Sequence, residues 1–246
     1  MLVYLCLGQS SADAQALSGV TGLFQIPTAE MMPDKSVRLS HHVVPQKYSV
    51  YRRTGWVRAG YIDNAQLGYI ANSVTLSFLP RLEVMFRYSY ELDVPRGPDI
   101  EIFMDRMVAA RFLLIRESER LPAVVFGLHD PGSSGGLTRN RFSTNNYYSA
   151  NYFVASKNLE AGNVRYGIHS GYAFDIGSQQ SIEYRGLFGG VSLEHEQFEW
   201  FQLILEYDSF QFNTAVKILL LDRIQLLGGL YNLDKFAGGI SYRFQF

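Results

Sequence analysis

The sequence predicts an all-β protein: a closed antiparallel transmembrane β-barrel of the outer-membrane type with about 12 strands, or 14 if one segment adds a hairpin. Segments of roughly ten residues alternate apolar and polar side chains along most of the chain, and a period of two indicates a strand with one apolar face. The segments that connect them are short and long in turn, as the two ends of an outer-membrane barrel require. The alternation continues to the last residue, Phe246.

Composition excludes two other classes of protein. The 246 residues carry 22 Lys and Arg against 23 Asp and Glu, so no basic excess favours nucleic acid as a partner. Mean hydropathy is -0.04, and no stretch of the sequence reaches the roughly 18 apolar residues of a spanning helix. A bundle of membrane helices is therefore not expected.

The first residues predict export. Residues 1–16, "MLVYLCLGQSSADAQA", read as an apolar segment that ends in a small-residue cleavage motif near Ala16, which is typical of a signal-peptide remnant whose true start lies upstream. The alternatives are a short apolar strand and, less favoured because Tyr4 and Leu5 are bulky, a lipoprotein modified at Cys6. We divide the chain into this remnant (1–16), a periplasmic lead-in or small plug (17–36) and the barrel (37–246).

The predicted strands follow one another with few interruptions. In each, the apolar residues at every second position should face lipid and the residues between them should face the lumen. In chain order the expected lipid-facing residues are Val37, Leu39, His41 and Val43; Val74, Leu76 and Phe78; Leu82, Val84, Phe86, Tyr88 and Tyr90; Val108, Ala110, Phe112 and Leu114; Val124, Phe126 and Leu128; Tyr148, Ala150, Tyr152 and Val154; Val164, Tyr166 and Ile168; Leu187, Gly189, Val191 and Leu193; Phe201, Leu203, Leu205 and Tyr207; Phe210, Phe212, Val216 and Ile218; Ile224, Leu226, Gly228 and Leu230; and Ile240, Tyr242, Phe244 and Phe246.

The links between these strands sort by length. If the last strand runs toward the periplasm, the periplasmic links are all short and the longest links are all external, as in outer-membrane barrels. The periplasmic links are then 79–81, 116–120, 157–162, 194–199 and 220–223, and the external ones 45–72, 92–106, 129–146, 175–186, 208–209 and 232–236. Residues 45–72 contain Asp63 and Asn64 between two partly alternating runs, which leaves an additional hairpin open.

Charged side chains fall on the positions between the apolar residues. An Arg or Lys facing lipid at the midplane would cost about 2–4 kcal/mol, so we expect these groups to line the lumen, either as a ladder of mutually neutralising charges or as the selective wall of a porin-like pore. The candidate lumen-lining residues are Arg38, His42, Glu83, Arg87, Glu91, Arg111, Lys157, Arg165, His169, Glu194, Glu206, Lys217 and Arg243.

Catalytic, cofactor and metal motifs are not evident. His41, Ser170 and Thr214 fall on outward positions, where an outer-membrane phospholipase would need them, but their spacing does not establish a triad. The five His lack the spacing of a metal site. We expect no cofactor, no metal and no enzymatic activity. The external loops are rich in Tyr, amide and charged side chains, which would suit carbohydrate contact.

Three segments resemble the YjbH family of outer-membrane exopolysaccharide proteins. They are "GVTGLFQIPTAEMMPDKSVRLS" (19–40), "FLPRLEVMFRYSYE" (78–91), and "LPAVVFGLHDPGSSGG" (121–136) followed by "YFVASKNL" (152–159). The resemblance covers roughly residues 19–175, and the rest is a generic barrel. Members of this family are often longer, with a second barrel-like half, and the Gly127-Leu128-His129-Asp130 segment lacks their usual glycine pattern.

The resemblance implies a location in the Gram-negative outer membrane and a role in the biosynthesis or export of exopolysaccharide or capsule. The protein would be a passive component that conducts or binds polysaccharide. A small-solute diffusion channel is the alternative, and a phospholipase-type hydrolase a weaker one. The implied partners are outer-membrane lipid and lipopolysaccharide, polysaccharide, other proteins of the exopolysaccharide system and the barrel-assembly machinery. That machinery reads aromatic C-terminal strands similar to Ile240, Tyr242, Phe244 and Phe246.

Overall fold

The computed structural model describes residues 14–45, 48, 68–91, 104–131, 148–174, 183 and 185–246. Each strand pairs antiparallel with the next, and the first pairs with the last, so the sheet is closed. The prediction of an all-β, closed, twelve-stranded antiparallel barrel is confirmed. The strands are β1 (Ser36–Val44), β2 (Tyr69–Leu79), β3 (Leu82–Glu91), β4 (Met104–Ile115), β5 (Ala123–His129), β6 (Ala150–Ala161), β7 (Val164–Phe174), β8 (Gly186–His195), β9 (Phe201–Tyr207), β10 (Phe212–Leu220), β11 (Ile224–Tyr231) and β12 (Lys235–Gln245).

The direct pairing of β1 with β2 settles the number of strands in the wall. His41 pairs with Asn72 on one side and with Ile240 of β12 on the other. Since β1 and β2 are direct neighbours, the wall has no place for two more strands between them, and the 14-stranded alternative is wrong. Most of residues 45–72, where that hairpin was expected, lie outside the described residues.

The two ends of the barrel differ in the length of their links. At one end, which we call the short-link end, the connections are 80–81, 116–122, 162–163, 196–200 and 221–223. The fourth of these contains a single 3₁₀ turn, Glu196–Phe198. At the other end, the long-link end, the connections are 45–68, 92–103, 130–149, 175–185, 208–211 and 232–234. The predicted sorting of links thus agrees with the strand boundaries, because strand order fixes which end each link occupies.

The two faces of the wall differ in chemistry. Large apolar side chains such as Leu39, Phe86, Phe112 and Leu205 lie exposed on the outside. Charged and polar side chains alternate with them and are buried inside the barrel. Among the described residues no helix is long and apolar enough to cross a membrane.

The predicted facing of the sixth strand is wrong. Tyr152 and Val154 are buried inside the barrel, whereas Phe153 between them is 47% exposed on the outside. The inward positions of β6 belong to the buried apolar cluster that also holds Leu23 and Phe24 of the chain before β1, and the Tyr152 ring lies 6.1 Å, between centroids, from that of Phe188 on β8. Where both faces of a strand carry apolar residues, as at Tyr152, Phe153 and Val154, the sequence does not identify which face is outside.

Residues 14–35, which we call the lumenal segment, lie before β1 and enter the barrel. Residues 15–29 are almost wholly buried, and two isolated antiparallel bridges, Gln15 with Thr21 and Gly22 with Pro27, fold them into compact turns. Residues 30–35 return to the short-link end and join β1. The segment has too few paired residues to form a strand of the wall.

Small residues of the wall make room for the apolar side chains of the lumenal segment. A Cβ atom at Gly190 of β8 would lie 2.6 Å from Leu23, and one at Gly229 of β11 would lie 2.8 Å from Phe24. Phe24 also packs against the Tyr231 ring, with centroids 5.1 Å apart. An apolar cluster therefore sits inside the barrel beside the charged groups.

Candidate functional site: the occupied lumen

Glu83 and Arg111 form an ion pair inside the barrel. They lie opposite each other on β3 and β4, their side chains are 1% exposed, and Arg111 Nη1 is 2.8 Å from Glu83 Oε1. The Glu83 carboxylate also accepts hydrogen bonds from the Thr21 hydroxyl at 2.9 Å, the Thr21 N–H at 3.2 Å and the Met32 N–H at 3.3 Å. Arg111 donates to the carbonyl oxygens of Thr28 and Glu30. Both members of the pair thus bind the lumenal segment as well as each other.

Arg87 links the lumenal segment to a long connection. Its Nη1 donates to the Ser18 carbonyl oxygen and to Glu183 Oε1, both at 2.9 Å. Its guanidinium lies 4.2 Å from the centre of the Tyr148 ring, a cation–π contact. Glu183 belongs to the 175–185 link and reaches His129 Nε2 at 2.6 Å. Burial alone would raise the pKa of Glu183, but Arg87 and His129 hold it below its ordinary value.

Glu206 of β9 holds the second turn of the lumenal segment. Its carboxylate accepts the backbone N–H groups of Phe24 at 3.0 Å, Gln25 at 2.9 Å and Ile26 at 3.4 Å. Asn213 of β10 also donates to it at 3.0 Å. These N–H donors take the place of the water molecules that a carboxylate loses when it is buried.

Cationic and amide side chains hold the remaining backbone of the segment. Lys217 of β10 donates to the Gly22 carbonyl oxygen. The Gln15 backbone N–H donates to Gln225 Oε1 at 2.7 Å, and the Gln15 side-chain amide donates to Ser73 at 3.1 Å and Thr75 at 2.9 Å. Ala29 N–H donates to Ser156 Oγ at 2.7 Å. The lumen is therefore a binding site for the lumenal segment of this chain. The wall contacts that segment mainly at its backbone N–H and carbonyl groups.

The structure places most of the predicted lumen-lining residues in the interior. Arg38, His42, Glu83, Arg87, Arg111, His169, Glu194, Glu206 and Lys217 are buried there. Arg165 and Arg243 share the inward parity but lie at the short-link end, where Arg165 Nη1 is 3.5 Å from Glu194 and Arg243 donates to the Asp222 carbonyl oxygen. The side chain of Glu91 lies outside the described residues.

The placement of Lys157 in the lumen is wrong. Lys157 pairs with Ile168, whose side chain is exposed on the outside, and it shares the outward parity of Phe153. Its amine binds Glu117 at 3.4 Å, outside the lumen at the short-link end. Its position follows from the reversed facing of β6: the inward neighbour is Ser156, which binds His169 Nδ1 at 2.8 Å.

Residues 49–245 match the sequence profile of the YjbH family. This family is described as "exopolysaccharide biosynthesis protein YbjH". The matched range is most of the chain. The protein belongs to the YjbH family. No curated protein matches the sequence at a significant level.

The YjbH match confirms the family that the sequence resembled, but its extent differs from the expected one. It continues to residue 245, through the part of the barrel described above as generic, and it does not include residues 19–48. The lumenal segment, which supplied one of the three resembling stretches, therefore lies outside the matched range.

The C-terminal strand of this YjbH-family barrel closes the wall. Phe244 of β12 pairs with Val37 of β1. Ile240, Phe244 and Phe246 are exposed on the outside, and the rings of Tyr242 and Phe244 contact each other with centroids 4.4 Å apart.

The residues considered for catalysis are not brought together. His41 on β1 binds Asn72 Oδ1 at 2.8 Å, Ser170 lies on β7, and the Thr214 hydroxyl on β10 donates to the Ile204 carbonyl oxygen at 3.1 Å. These strands are not neighbours. Across the ranges that the structure describes, no three His, Cys, Asp or Glu side chains group as metal ligands do.

Sequence reasoning missed Glu183 and Gln15. Glu183 lies in a link, where no alternation marks it, and Gln15 lies in a stretch interpreted as signal peptide. The only available signal for Glu183 was an acidic residue in a link beside Arg-bearing strands. For Gln15 the sequence offers none, since its partners lie up to 210 positions away.

Proposed function

We propose that this protein is an outer-membrane component of an exopolysaccharide biosynthesis system, which binds polysaccharide at the membrane while its lumen is closed by its own N-terminal segment. One observation supports the membrane location: a closed barrel whose outside carries many large apolar side chains and whose inside holds most of the charged side chains of the strands. That arrangement suits lipid outside, because the backbone groups of a closed sheet are paired and large apolar side chains face outward.

The orientation follows from the links. Outer-membrane barrels have short periplasmic turns and longer external loops, so the short-link end would face the periplasm. Residues 30–35, which join the lumenal segment to β1, would then lie at the periplasmic side.

Binding is favoured over free conduction because the lumen is occupied. Residues 15–29 cross the interior and contact β2, β3, β4, β6, β9, β10 and β11. Passage of a polymer through the barrel would require this segment to leave. The same occupancy weighs against an open diffusion channel for small solutes.

A hydrolase is not supported by the geometry of the outward face. His41 has an amide partner rather than an acid, and a hydroxyl nucleophile must lie within hydrogen-bond reach of its base. We therefore propose a protein without chemistry of its own, assembled by the barrel-assembly machinery among lipopolysaccharide and phospholipid.

Deletion of the gene in the strain that carries it tests the proposal. We expect loss of secreted exopolysaccharide, restored by the full-length gene, with the protein recovered in the outer-membrane fraction. Unchanged polymer secretion, or recovery in the soluble fraction, would contradict it.

Planar-bilayer conductance separates the binding role from the channel role. The purified full chain should show no steady open-channel current, whereas a chain lacking residues 14–30 should conduct. A steady current through the intact protein would favour the diffusion channel.

A further inference from the structure

A cleft opens at the short-link end, where the lumenal segment leaves the barrel. It has a volume of about 510 Å³, within the range of about 300–1,000 Å³ usual for ligand pockets. The returning segment forms one side and the ends of β2, β4, β5 and β6 form the other. It is lined by Ala29, Glu30, Met31, Met32, Asp34, Pro80, Leu113, Arg116, Glu117, Ala123 and Asn158.

The lining combines an apolar surface with planar polar groups. Met31, Met32 and Leu113 supply the apolar part, and carboxyl, guanidinium and amide groups surround it. A pyranose ring presents C–H groups on its faces and hydroxyl groups around its rim. Thioether and alkyl carbons suit the first, and carboxylate or amide oxygens suit the second, because they accept hydrogen bonds from paired hydroxyls.

Both walls of the cleft are held in place. The Glu117 carboxylate accepts the Asn158 N–H at 2.7 Å and its side-chain amide at 2.9 Å, and Lys157 lies 3.4 Å from it. On the other wall, Arg111 holds the Glu30 carbonyl oxygen at 3.0 Å. A cleft whose groups are already fixed loses little conformational entropy when a ligand binds.

The charge of the cleft selects among saccharides. Glu30, Asp34 and Glu117 contribute three carboxyl groups, against the guanidinium of Arg116 and the amine of Lys157, which lies 3.4 Å from Glu117. Burial also raises the pKa of Glu30 to about 7, so the cleft carries no excess of positive charge. A carboxylate-bearing sugar would lose hydration here without gaining a surplus cation, which disfavours it, whereas an uncharged chain carries no such cost.

We propose that this cleft binds a short uncharged saccharide segment of the polymer. The ligand would lie at the short-link end of the barrel, outside the lumen. The inference rests on the proposed function and adds to it a site and a ligand class. Three residues of the cleft are hydrogen-bonded to the wall: Ala29 to Ser156, Glu30 to Arg111 and Met32 to Glu83. A ligand here would therefore contact the lumenal segment beside the hydrogen bonds that hold it to the barrel.

Methionine methyl groups provide a local readout of binding. Met31 and Met32 line the cleft, whereas Met85 and Met107 are buried inside the barrel. With the detergent-solubilised full chain labelled at ¹³C-methyl methionine, we would titrate neutral gluco-, galacto- and mannohexaose, the matching hexauronates, and oligomers released from the host strain's own polymer. We expect shifts at Met31 and Met32 with at least one neutral oligomer, and none at Met85 or Met107.

Variants test whether the cleft is responsible. Asp34 is exposed, so Asp34→Ala should fold normally and weaken neutral binding several-fold, and Asp34→Lys should admit hexauronates. Glu160→Gln, at the same end but not in the cleft lining, is the matched control and should bind as the unaltered protein does.

Three results would overturn the proposal: no oligomer shifts Met31 or Met32, hexauronates bind the unaltered protein more tightly than neutral oligomers, or Glu160→Gln weakens binding as much as Asp34→Ala. The proposed function is judged separately. If gene deletion abolishes polymer secretion but no saccharide shifts these methyl groups, the function stands and the cleft assignment fails.

Discussion

The Glu83 carboxylate and the Arg111 guanidinium meet at 2.8 Å on facing positions of adjacent strands, buried inside the barrel. Each also binds the lumenal segment, Glu83 at Thr21 and Met32, Arg111 at Thr28. A buried ion pair costs desolvation and is tolerated when the remaining polar atoms are satisfied. Here backbone groups of residues 21–32 make many of the remaining hydrogen bonds of the pair. The ion pair and the lumenal segment therefore stabilise each other.

The first prediction concerns this pair. Glu83→Gln leaves the Arg111 charge buried without its carboxylate, so the free energy of unfolding in urea should fall by about 3–5 kcal/mol. Arg165→Gln, which affects a partly exposed pair, should cost less than about 1 kcal/mol. The double variant Glu83→Gln/Arg111→Met removes both charges and should recover part of the loss. Equal losses for Glu83→Gln and Arg165→Gln would mean that the buried pair does not support the fold.

The second prediction concerns the turn at Phe24 and Gln25. Glu206→Gln replaces one acceptor oxygen by an NH₂ group, which leaves a buried N–H donor unsatisfied at a cost of about 1–3 kcal/mol. Amide hydrogen exchange at these two residues should therefore accelerate by about 10- to 100-fold. Glu194→Gln is the control, because the Glu194 side chain bonds Gln202 and Arg165 of the wall. Unchanged exchange in Glu206→Gln would show that the turn is held by packing alone.

The third prediction concerns pH. Burial raises the pKa of Glu30 to about 7 from 4.5, against the opposing influence of Lys217. A carboxyl group whose folded pKa is raised contributes stability that is complete below the unfolded pKa and is lost as pH rises through the folded value. Protection of the Ala29 amide, corrected for intrinsic exchange, should therefore decrease between about pH 4.5 and pH 7.

Glu30→Gln serves as the matched variant for that pH dependence. The amide does not titrate, so protection of Ala29 should become flat across the same interval. Asp34→Asn should retain the original slope. A slope that persists in Glu30→Gln would assign the dependence to another group.

The fourth prediction concerns processing of the N-terminus. Cleavage near Ala16 would remove Gln15, which is buried and bonded to Gln225, Ser73 and Thr75. Ala12 and Ala14 offer a second small-residue motif two positions earlier, typical of signal-peptide cleavage. We expect the mature chain to begin at Gln15, as measured by intact-mass spectrometry of the protein purified from its host. A mature chain beginning at Leu17 would mean that the Gln15 contacts are dispensable.

Sequence reasoning worked where structure is set by local periodicity. Each strand carries its own signal, because the side chains of a β-strand alternate between two faces and most charged residues fall on one of them. That is why Arg38, Arg87 and Lys217 could be assigned to the interior from parity. It failed at β6, where Tyr152 and Phe153 are both large and apolar and only the surroundings decide which of them faces outward.

The sequence by itself determined the wall: a closed antiparallel barrel of about twelve strands, joined by short links at one end and longer ones at the other. Only the tertiary structure decided what fills the wall. The lumenal segment is bound through its backbone N–H and carbonyl groups, by Glu83, Arg111 and Glu206 from strands distant in the sequence. Backbone groups are the same in every residue, so such recognition leaves no pattern in the segment itself, and it becomes visible only when the closed barrel brings those charges to it.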